Sequence, residues 1–187
     1  MCIRCPWLDT TKPNYVEYHD NEWGVPVHDD KKMFEFLVLE SAQAGLNWYT
    51  ILKKREGYKK LFADFDVTKV SEFTSDDVER LMLDASIVRN RLKIEATINN
   101  AKRFIEIQDE FGSFTRFIWS YVDNKTIVNS IESNEDYVAT SPISDKLAKD
   151  LKKRGFKFLG STTLYSHLQA LGLINDHSNQ CFRKQKL

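Results

Sequence analysis

Apolar residues recur at helical intervals along most of the chain and alternate with polar ones almost nowhere, and this periodicity constrains the fold more than any other feature. Asp29-Asp30 precede Met33, Phe34, Leu37 and Val38, a one-sided apolar stripe with acidic residues where the helix macrodipole favours them. Trp48, Ile51 and Leu52 continue with a second helix. Thr74-Ser75-Asp76-Asp77 reads as the cap of a short helix carrying Val78, Leu81 and Met82. Asn90 caps a longer one with Ile94, Ile98, Ala101 and Ile105 on one face. Ser113 starts a helix holding Phe117, Ile118 and Tyr121. Ser144 starts another that ends near Arg154, with Gly155 placed as a C-terminal stop. Ser161 begins the last, with Leu164, Leu168 and Leu171 before Gly172. Thr126-Ile127-Val128 and Phe156-Lys157-Phe158 read as short extended connectors. The expected class is all-α, an orthogonal bundle of about eight to ten short helices.

The length of 187 residues suits a single domain over 1–187, long enough to bury a core without disulfides. No apolar run reaches the roughly 18 residues needed to span a bilayer. The start, Met1-Cys2-Ile3-Arg4-Cys5-Pro6-Trp7, lacks an apolar leader, so a cytoplasmic protein without a membrane partner is expected. Lys plus Arg and Asp plus Glu both number 27. A chain that coats nucleic acid non-specifically is usually more basic, so any DNA contact needs a local patch. Lys53-Lys54-Arg55 and Lys152-Lys153-Arg154 with Lys157 are the available clusters, and such runs also serve simply to solvate helix faces.

Metal-capable residues gather at the two ends. Cys2, Cys5 and His19 lie at one, and His177-x3-Cys181 at the other. The latter spacing puts two side chains on one face of a helical turn, which suits two neighbouring ligands of a tetrahedral ion. Three cysteines in a reducing compartment do not form a disulfide framework. Metal ligation or free thiols remain. As a zinc site the residues combine in two ways: Cys2, Cys5, His177 and Cys181, or Cys5, His19, His177 and Cys181. The first contains the commoner Cys-x2-Cys half-site. His28, in a loop, and His167, in a helix without a suitably spaced partner, are read as non-ligands.

The stretch from Tyr15 to Pro26 is dense in aromatics and acids and poor in aliphatics, unlike a core segment. A second cluster follows, Glu40-Ser41-Ala42-Gln43-Ala44-Gly45-Leu46-Asn47-Trp48, in which Glu40 falls on or beside an apolar stripe. Burying a carboxylate costs several kcal/mol unless it is paired or functional. The plain reading has Glu40 facing solvent or pairing with Lys53 or Lys54. The functional reading joins it to flat aromatics as a site for a flat cation. Rings offer their negative faces to the charge, and the carboxylate adds a charge-assisted hydrogen bond to a ring N–H or exocyclic amine.

At these residues the chain resembles the bacterial 3-methyladenine DNA glycosylases of type I, a branch of the helix-hairpin-helix glycosylase superfamily. Arg4-Cys5-Pro6-Trp7, Tyr18-His19-Asp20-Asn21-Glu22-Trp23-Gly24-Val25-Pro26, Leu39-Glu40 and Gln43-Ala44-Gly45-Leu46-Asn47-Trp48 carry the likeness. It continues through Leu52-Lys53-Lys54-Arg55-Glu56, Asp77-Val78-Glu79-Arg80-Leu81, Lys152-Lys153-Arg154-Gly155-Phe156-Lys157-Phe158 and Gly172-Leu173-Ile174-Asn175-Asp176-His177. The resemblance implies one structural zinc ion on Cys5, His19, His177 and Cys181, with Cys2 an extra thiol. It implies a base pocket of Glu40, Trp48 and Tyr18 with Trp7, Tyr15 and Trp23, which is expected to lie apart from the zinc ligands. It also places the helix-hairpin-helix within residues 81–96, turning at Asp84-Ala85-Ser86-Ile87-Val88-Arg89-Asn90. That turn departs from the Gly-rich Leu-Pro-Gly-Val-Gly type of the superfamily.

The implied activity is hydrolysis of the N-glycosidic bond of 3-methyladenine in alkylated double-stranded DNA, leaving an abasic site and the free base. Glu40 is the residue expected to act in catalysis, and no strand cleavage is expected, since no lysine stands poised as a nucleophile. Asp109 lies near where many superfamily relatives carry an aspartate, but its neighbours read as a helix end. The target nucleotide must be extruded, and Gly45-Leu46 is the candidate wedge for the vacated stack. Lys53, Lys54, Arg89 and Lys153 are the candidate phosphate contacts. A monomer is expected. Two other readings fit the motifs: a zinc-stabilised DNA-binding module without catalysis, and a helical metalloprotein that binds a small flat cation and never meets DNA.

Overall fold

A computed structural model describes residues 2–184. Nine α-helices account for most of them: α1 Pro13–Asn21, α2 Asp30–Gln43, α3 Trp48–Leu61, α4 Val67–Ser71, α5 Ser75–Leu83, α6 Arg91–Phe111, α7 Phe114–Trp119, α8 Pro142–Lys153 and α9 Ser161–Ala170. Strands β1 Ile127–Val128 and β2 Ile174–Asn175 form one parallel pair, with Ile127 opposite Ile174. Two residues are too few to leave a period in the sequence, so β2 carried no readable signal. The chain is thus mostly helical, and no helix among the described residues is long and apolar enough to cross a membrane.

The centre is α2. Met33, Phe34, Phe36, Leu37, Val38 and Leu39 are each at most 1% exposed. Every residue from Phe36 to Ala42 is buried, so this half of α2 lies inside the core, and α2 is contacted by α3, α6, α7 and α9. The acidic pair at its start divides its work. Asp29 caps α2, accepting from the Lys32 N–H. Asp30 instead turns away to accept from the backbone N–H groups of Phe114 and Thr115, at 2.9 and 2.8 Å, and from the Thr115 hydroxyl. It therefore caps the start of α7 across the fold.

Four local expectations change. The Tyr15 to Pro26 stretch is not foreign to the core: α1 runs through it and buries Tyr18 and His19, and Trp23 beyond it is 7% exposed. Its start was hidden because Pro13 opens the helix and no side chain caps it. The short α4 lies in a stretch without any helical stripe. The helix assigned to Ser144 begins at Pro142, capped by Ser141, and Ser144 completes the capping box from inside. The Phe156–Phe158 connector is not extended throughout, since Phe158 has φ +56°, and the buried Asn100 side chain takes both the N–H and the C=O of Lys157, each at 2.8 Å.

One glycine joins the two halves of the chain. Gly172 has φ +71°, and a Cβ there would stand 2.4 Å from Pro26 N and Val25 C. The segment 24–27 docks here, with Gly24 N–H donating to Gln169 O and Val27 N–H to Leu171 O. The end of α1 is thereby fixed against the end of α9.

Candidate functional site

Between α1, α2, α3 and α9 lies a cavity of about 460 Å³. Trp7 precedes α1, Tyr15 and Tyr18 project from it, and Trp23 follows it. Glu40 and Gln43 come from the last turn of α2, and Trp48 opens α3, where the Asn47 side chain caps the helix. The structure thus gathers Trp7, Tyr15, Tyr18, Trp23, Glu40 and Trp48 around one space. The rings form a connected wall, with Tyr18 to Trp48 centroids 5.4 Å apart, Trp7 to Trp23 4.9 Å and Trp7 to Tyr15 5.6 Å. Asn134, Tyr137, Val138, Ser166 and Gln169 complete the lining, and none of them stood out in the sequence because none belongs to a dense motif.

Glu40 is 3% exposed and faces neither Lys53 nor Lys54. Its Oε2 has no hydrogen-bond partner, and burial alone pushes its carboxyl up to about 8. The indole Nε1–H of Trp48 is buried and unpartnered as well. The cavity lining therefore contributes an acceptor and a donor that no protein group satisfies. Buried polar atoms rarely stay unpaired without a functional reason.

Cys5, His19, His177 and Cys181 form a second cluster, all buried, with one candidate ligand atom from each lying within 4.8 Å of the others. Cys2 is exposed and stands outside it. Each imidazole is oriented through Nδ1: His19 by Asp20 Oδ1 at 2.8 Å, His177 by Asn175 Oδ1 at 3.0 Å. That leaves the Nε2 atoms facing inward, His19 toward the Cys181 sulfur at 3.7 Å and His177 with no partner at all. Two sulfurs and two oriented imidazoles form a donor set that fits a tetrahedral metal ion. Burial also holds both histidines below their ordinary range, His177 at about 3, which keeps them neutral and ready to ligate.

The two sites are not separate, contrary to the expectation from sequence. Trp7 packs on His19 with centroids 5.3 Å apart, and Trp23 on His177 at 4.5 Å. Both tryptophans also line the cavity. The Cys/His cluster is the back of the aromatic wall.

The residues read as DNA contacts fall in several places. Gly45 and Leu46 form the exposed corner between α2 and α3; Leu46 is 41% exposed. The connector 84–90 joins α5 to α6, anchored by the buried Ile87 and by Gly57 of α3, where a Cβ would come 2.4 Å from Ser86 O. Arg89 is exposed on it. Lys54 donates to Ala85 O at 2.6 Å, so part of its task is to hold this connector. Lys53 lies over the Tyr49 ring, 5.1 Å from its centroid. Arg55 is not available to phosphate: Glu22 and Glu35 hold its guanidinium at 2.7 to 2.8 Å. Lys153 is elsewhere, in a cleft with Phe117, Tyr121 and Asp150. Asp109 is exposed near the end of α6, away from the aromatic cavity.

The methyladenine glycosylase family model matches residues 7–184. The chain is 47% identical to DNA-3-methyladenine glycosylase 1 of Escherichia coli (strain K12), over 95% of each chain. It is 42% identical to DNA-3-methyladenine glycosylase of Haemophilus influenzae, over 97% of each. A crystal structure of a 3-methyladenine DNA glycosylase I variant in complex with 3-methyladenine superposes with a TM-score of 0.91, at 43% identity and 94% coverage of both chains.

Proposed function

Because the chain belongs to the methyladenine glycosylase family, we propose that its aromatic cavity receives 3-methyladenine extruded from DNA and that the chain hydrolyses the bond joining that base to deoxyribose. The observation that carries this reading is Glu40: a buried carboxyl with an unpartnered oxygen in a cavity lined by six aromatic side chains, Trp7, Tyr15, Tyr18, Trp23, Trp48 and Tyr137. Such a site selects a flat cation. Methylation at N3 makes adenine cationic, so its faces suit the rings and its exocyclic amine suits Glu40. A ring nitrogen of the base can accept from the Trp48 indole. Glu40 ionises against the cation and supplies the counter-charge that unmodified adenine exploits less.

Excision then needs little apparatus. The N-glycosidic electron pair leaves with the base and neutralises it. Water forms the new bond at C1′ of the sugar and releases a proton, giving an abasic site. The cavity lining includes no lysine, which supports hydrolysis without strand cleavage. Leu46 at the α2–α3 corner fills the vacated stack. The α5–connector–α6 unit serves as the helix-hairpin-helix, with Arg89, Lys53, Lys54 and Lys153 contributing phosphate contacts. Zinc is the metal best suited to Cys5, His19, His177 and Cys181, and when bound it acts structurally, since four protein ligands leave no open position. We place the enzyme in the cytoplasm as a monomeric single domain.

Incubation with methylated duplex DNA tests the reading. Release of free 3-methyladenine without strand scission is expected. Binding without release would point to a non-catalytic DNA-binding module, and neither binding nor release would overturn the reading altogether.

A further inference from the structure

The connector between α8 and α9 carries a feature that neither the base pocket nor the Cys/His cluster explains. Phe158 stands in the left-handed region at φ +56° and is 41% exposed. A Cβ disfavours that backbone conformation, and glycine or asparagine adopts it at lower cost. Folding alone would therefore favour a smaller residue here, and a strained, exposed aromatic points to a task outside folding. The backbone that presents the ring is held in place. Two residues of α6 clamp it: Asn99 Nδ2 donates to Gly155 O at 2.8 Å, and the buried Asn100 side chain bonds both the N–H and the C=O of Lys157.

Beside Phe158 runs a groove of about 560 Å³. Ala148 of α8 and Phe156, Phe158 and Leu159 of the connector supply its apolar lining. Lys149, Lys152 and Lys157 line it as well; all three are exposed, and their side chains make no ion pair or hydrogen bond among the described residues. No acidic residue lines the groove. The carboxylates of α8 are engaged elsewhere, Asp145 accepting from the Ser161 hydroxyl and Asp150 from the Tyr121 hydroxyl, each at 2.6 Å. An apolar groove flanked by uncompensated positive charge is complementary to a partner with the opposite charge and an apolar anchor. We propose that this groove docks an acidic segment of another polypeptide, which packs one bulky apolar side chain against Phe158 while its carboxylates meet the three lysines. Duplex DNA fits less well, since its phosphates would satisfy the lysines and leave the apolar lining uncovered. None of these residues lines the base cavity, so the inference stands independently of the base-pocket and zinc readings.

The test uses the full chain and a fluorescein-labelled peptide, Asp-Asp-Phe-Leu-Asp-Asp, followed by fluorescence anisotropy. Wild type is expected to bind it, with an affinity that falls as salt is raised. Replacing either the four aspartates or the Phe-Leu pair of the peptide by serine should each weaken binding. Phe158→Asn keeps a residue that tolerates the left-handed backbone and removes the ring, so peptide affinity should fall about tenfold or more while the melting temperature holds or rises. Lys149→Glu should also weaken the peptide, most at low salt. Both variants should release 3-methyladenine from methylated duplex at the wild-type rate. Wild-type chain that fails to bind the acidic peptide overturns the proposal. So does a Phe158→Asn chain that melts lower and keeps full peptide affinity, since the ring is then structural. Loss of duplex DNA affinity in Lys149→Glu without loss of peptide affinity would assign the groove to nucleic acid and overturn it as well.

Discussion

Trp23 meets His177 edge-on, with ring centroids 4.5 Å apart and planes at 63°. One of these residues lines the cavity and the other belongs to the Cys/His cluster. Segments near the two ends of the chain are thereby packed into the same wall, and damage at the cluster is expected to reach the cavity.

The first prediction concerns that cluster. Cys181→Ser removes one of four ligands and should abolish stoichiometric metal in the purified protein. Because the cluster joins residues far apart in sequence, the melting temperature should fall, reflecting a loss of several kcal/mol. Cys2→Ser should do neither, since Cys2 is exposed. Metal analysis and thermal melts of both variants decide it, and full metal content in Cys181→Ser would exclude this ligand set.

The second concerns recognition. Glu40→Gln keeps the shape of the side chain and removes a carboxyl that can ionise to accept from the base's N–H groups, so affinity for free 3-methyladenine should fall by roughly 1–3 kcal/mol. Trp48→Ala should lose a comparable amount, about 1–3 kcal/mol of stacking. Calorimetric titration of the base into each variant is the measurement. Wild-type affinity in Glu40→Gln would make Glu40 a structural residue.

Glu40 also imposes a pH signature. Its carboxyl is raised from 4.5 to about 8 in the folded chain, where burial disfavours the charge. Between those values the folded protein keeps a proton that the unfolded chain has released. Stability should therefore decline as pH rises from about 4.5 to about 8 and level off above. Glu40→Gln lacks this decline, so its stability relative to wild type should improve by a few kcal/mol between pH 5 and pH 8.5, at about 1.4 kcal/mol per pH unit. Denaturant melts of both proteins at the two pH values measure it. Parallel pH profiles would show that Glu40 ionises normally.

DNA binding should weaken with salt at a slope reflecting on the order of three to six phosphate contacts. Lys53→Ala and Lys153→Ala should each reduce that slope. Lys54→Ala should in addition lower stability, because its ammonium holds Ala85 O. Salt-independent binding to duplex DNA would contradict the footprint.

Much of this was legible in the sequence, and the reasons differ by element. The apolar stripes of α2, α5, α6 and α9 showed plainly because each turns one face or more to the core. Tyr15, Tyr18, Trp23, Glu40 and Trp48 lay in two dense aromatic and acidic stretches that suggested a flat-cation site, but their assembly into one pocket with Trp7 came only from the family resemblance. Which metal-capable residues cluster was not legible from spacing, since Cys-x2-Cys is the commoner half-site; what sets His19 inside the cluster and Cys2 outside it is burial, a property of the folded chain. Tyr137, Ser166 and Gln169 were hidden because they reach the cavity from α9 and from the connector before α8, far in sequence from the motif that names the site. The remote capping of α7 by Asp30 left no trace either, as an acidic pair at a helix start already has a local explanation.

The meeting of residues near the two ends has a mechanical side. Phe182 N–H donates to Ile3 O at 2.9 Å, and Ser178 N–H to the Cys5 sulfur, directly beside the Cys/His cluster. A pulling force applied at either end meets this clasp before it reaches α2. Load on either flank is thus carried first by short contacts between segments far apart in sequence, and the central helix is shielded from it.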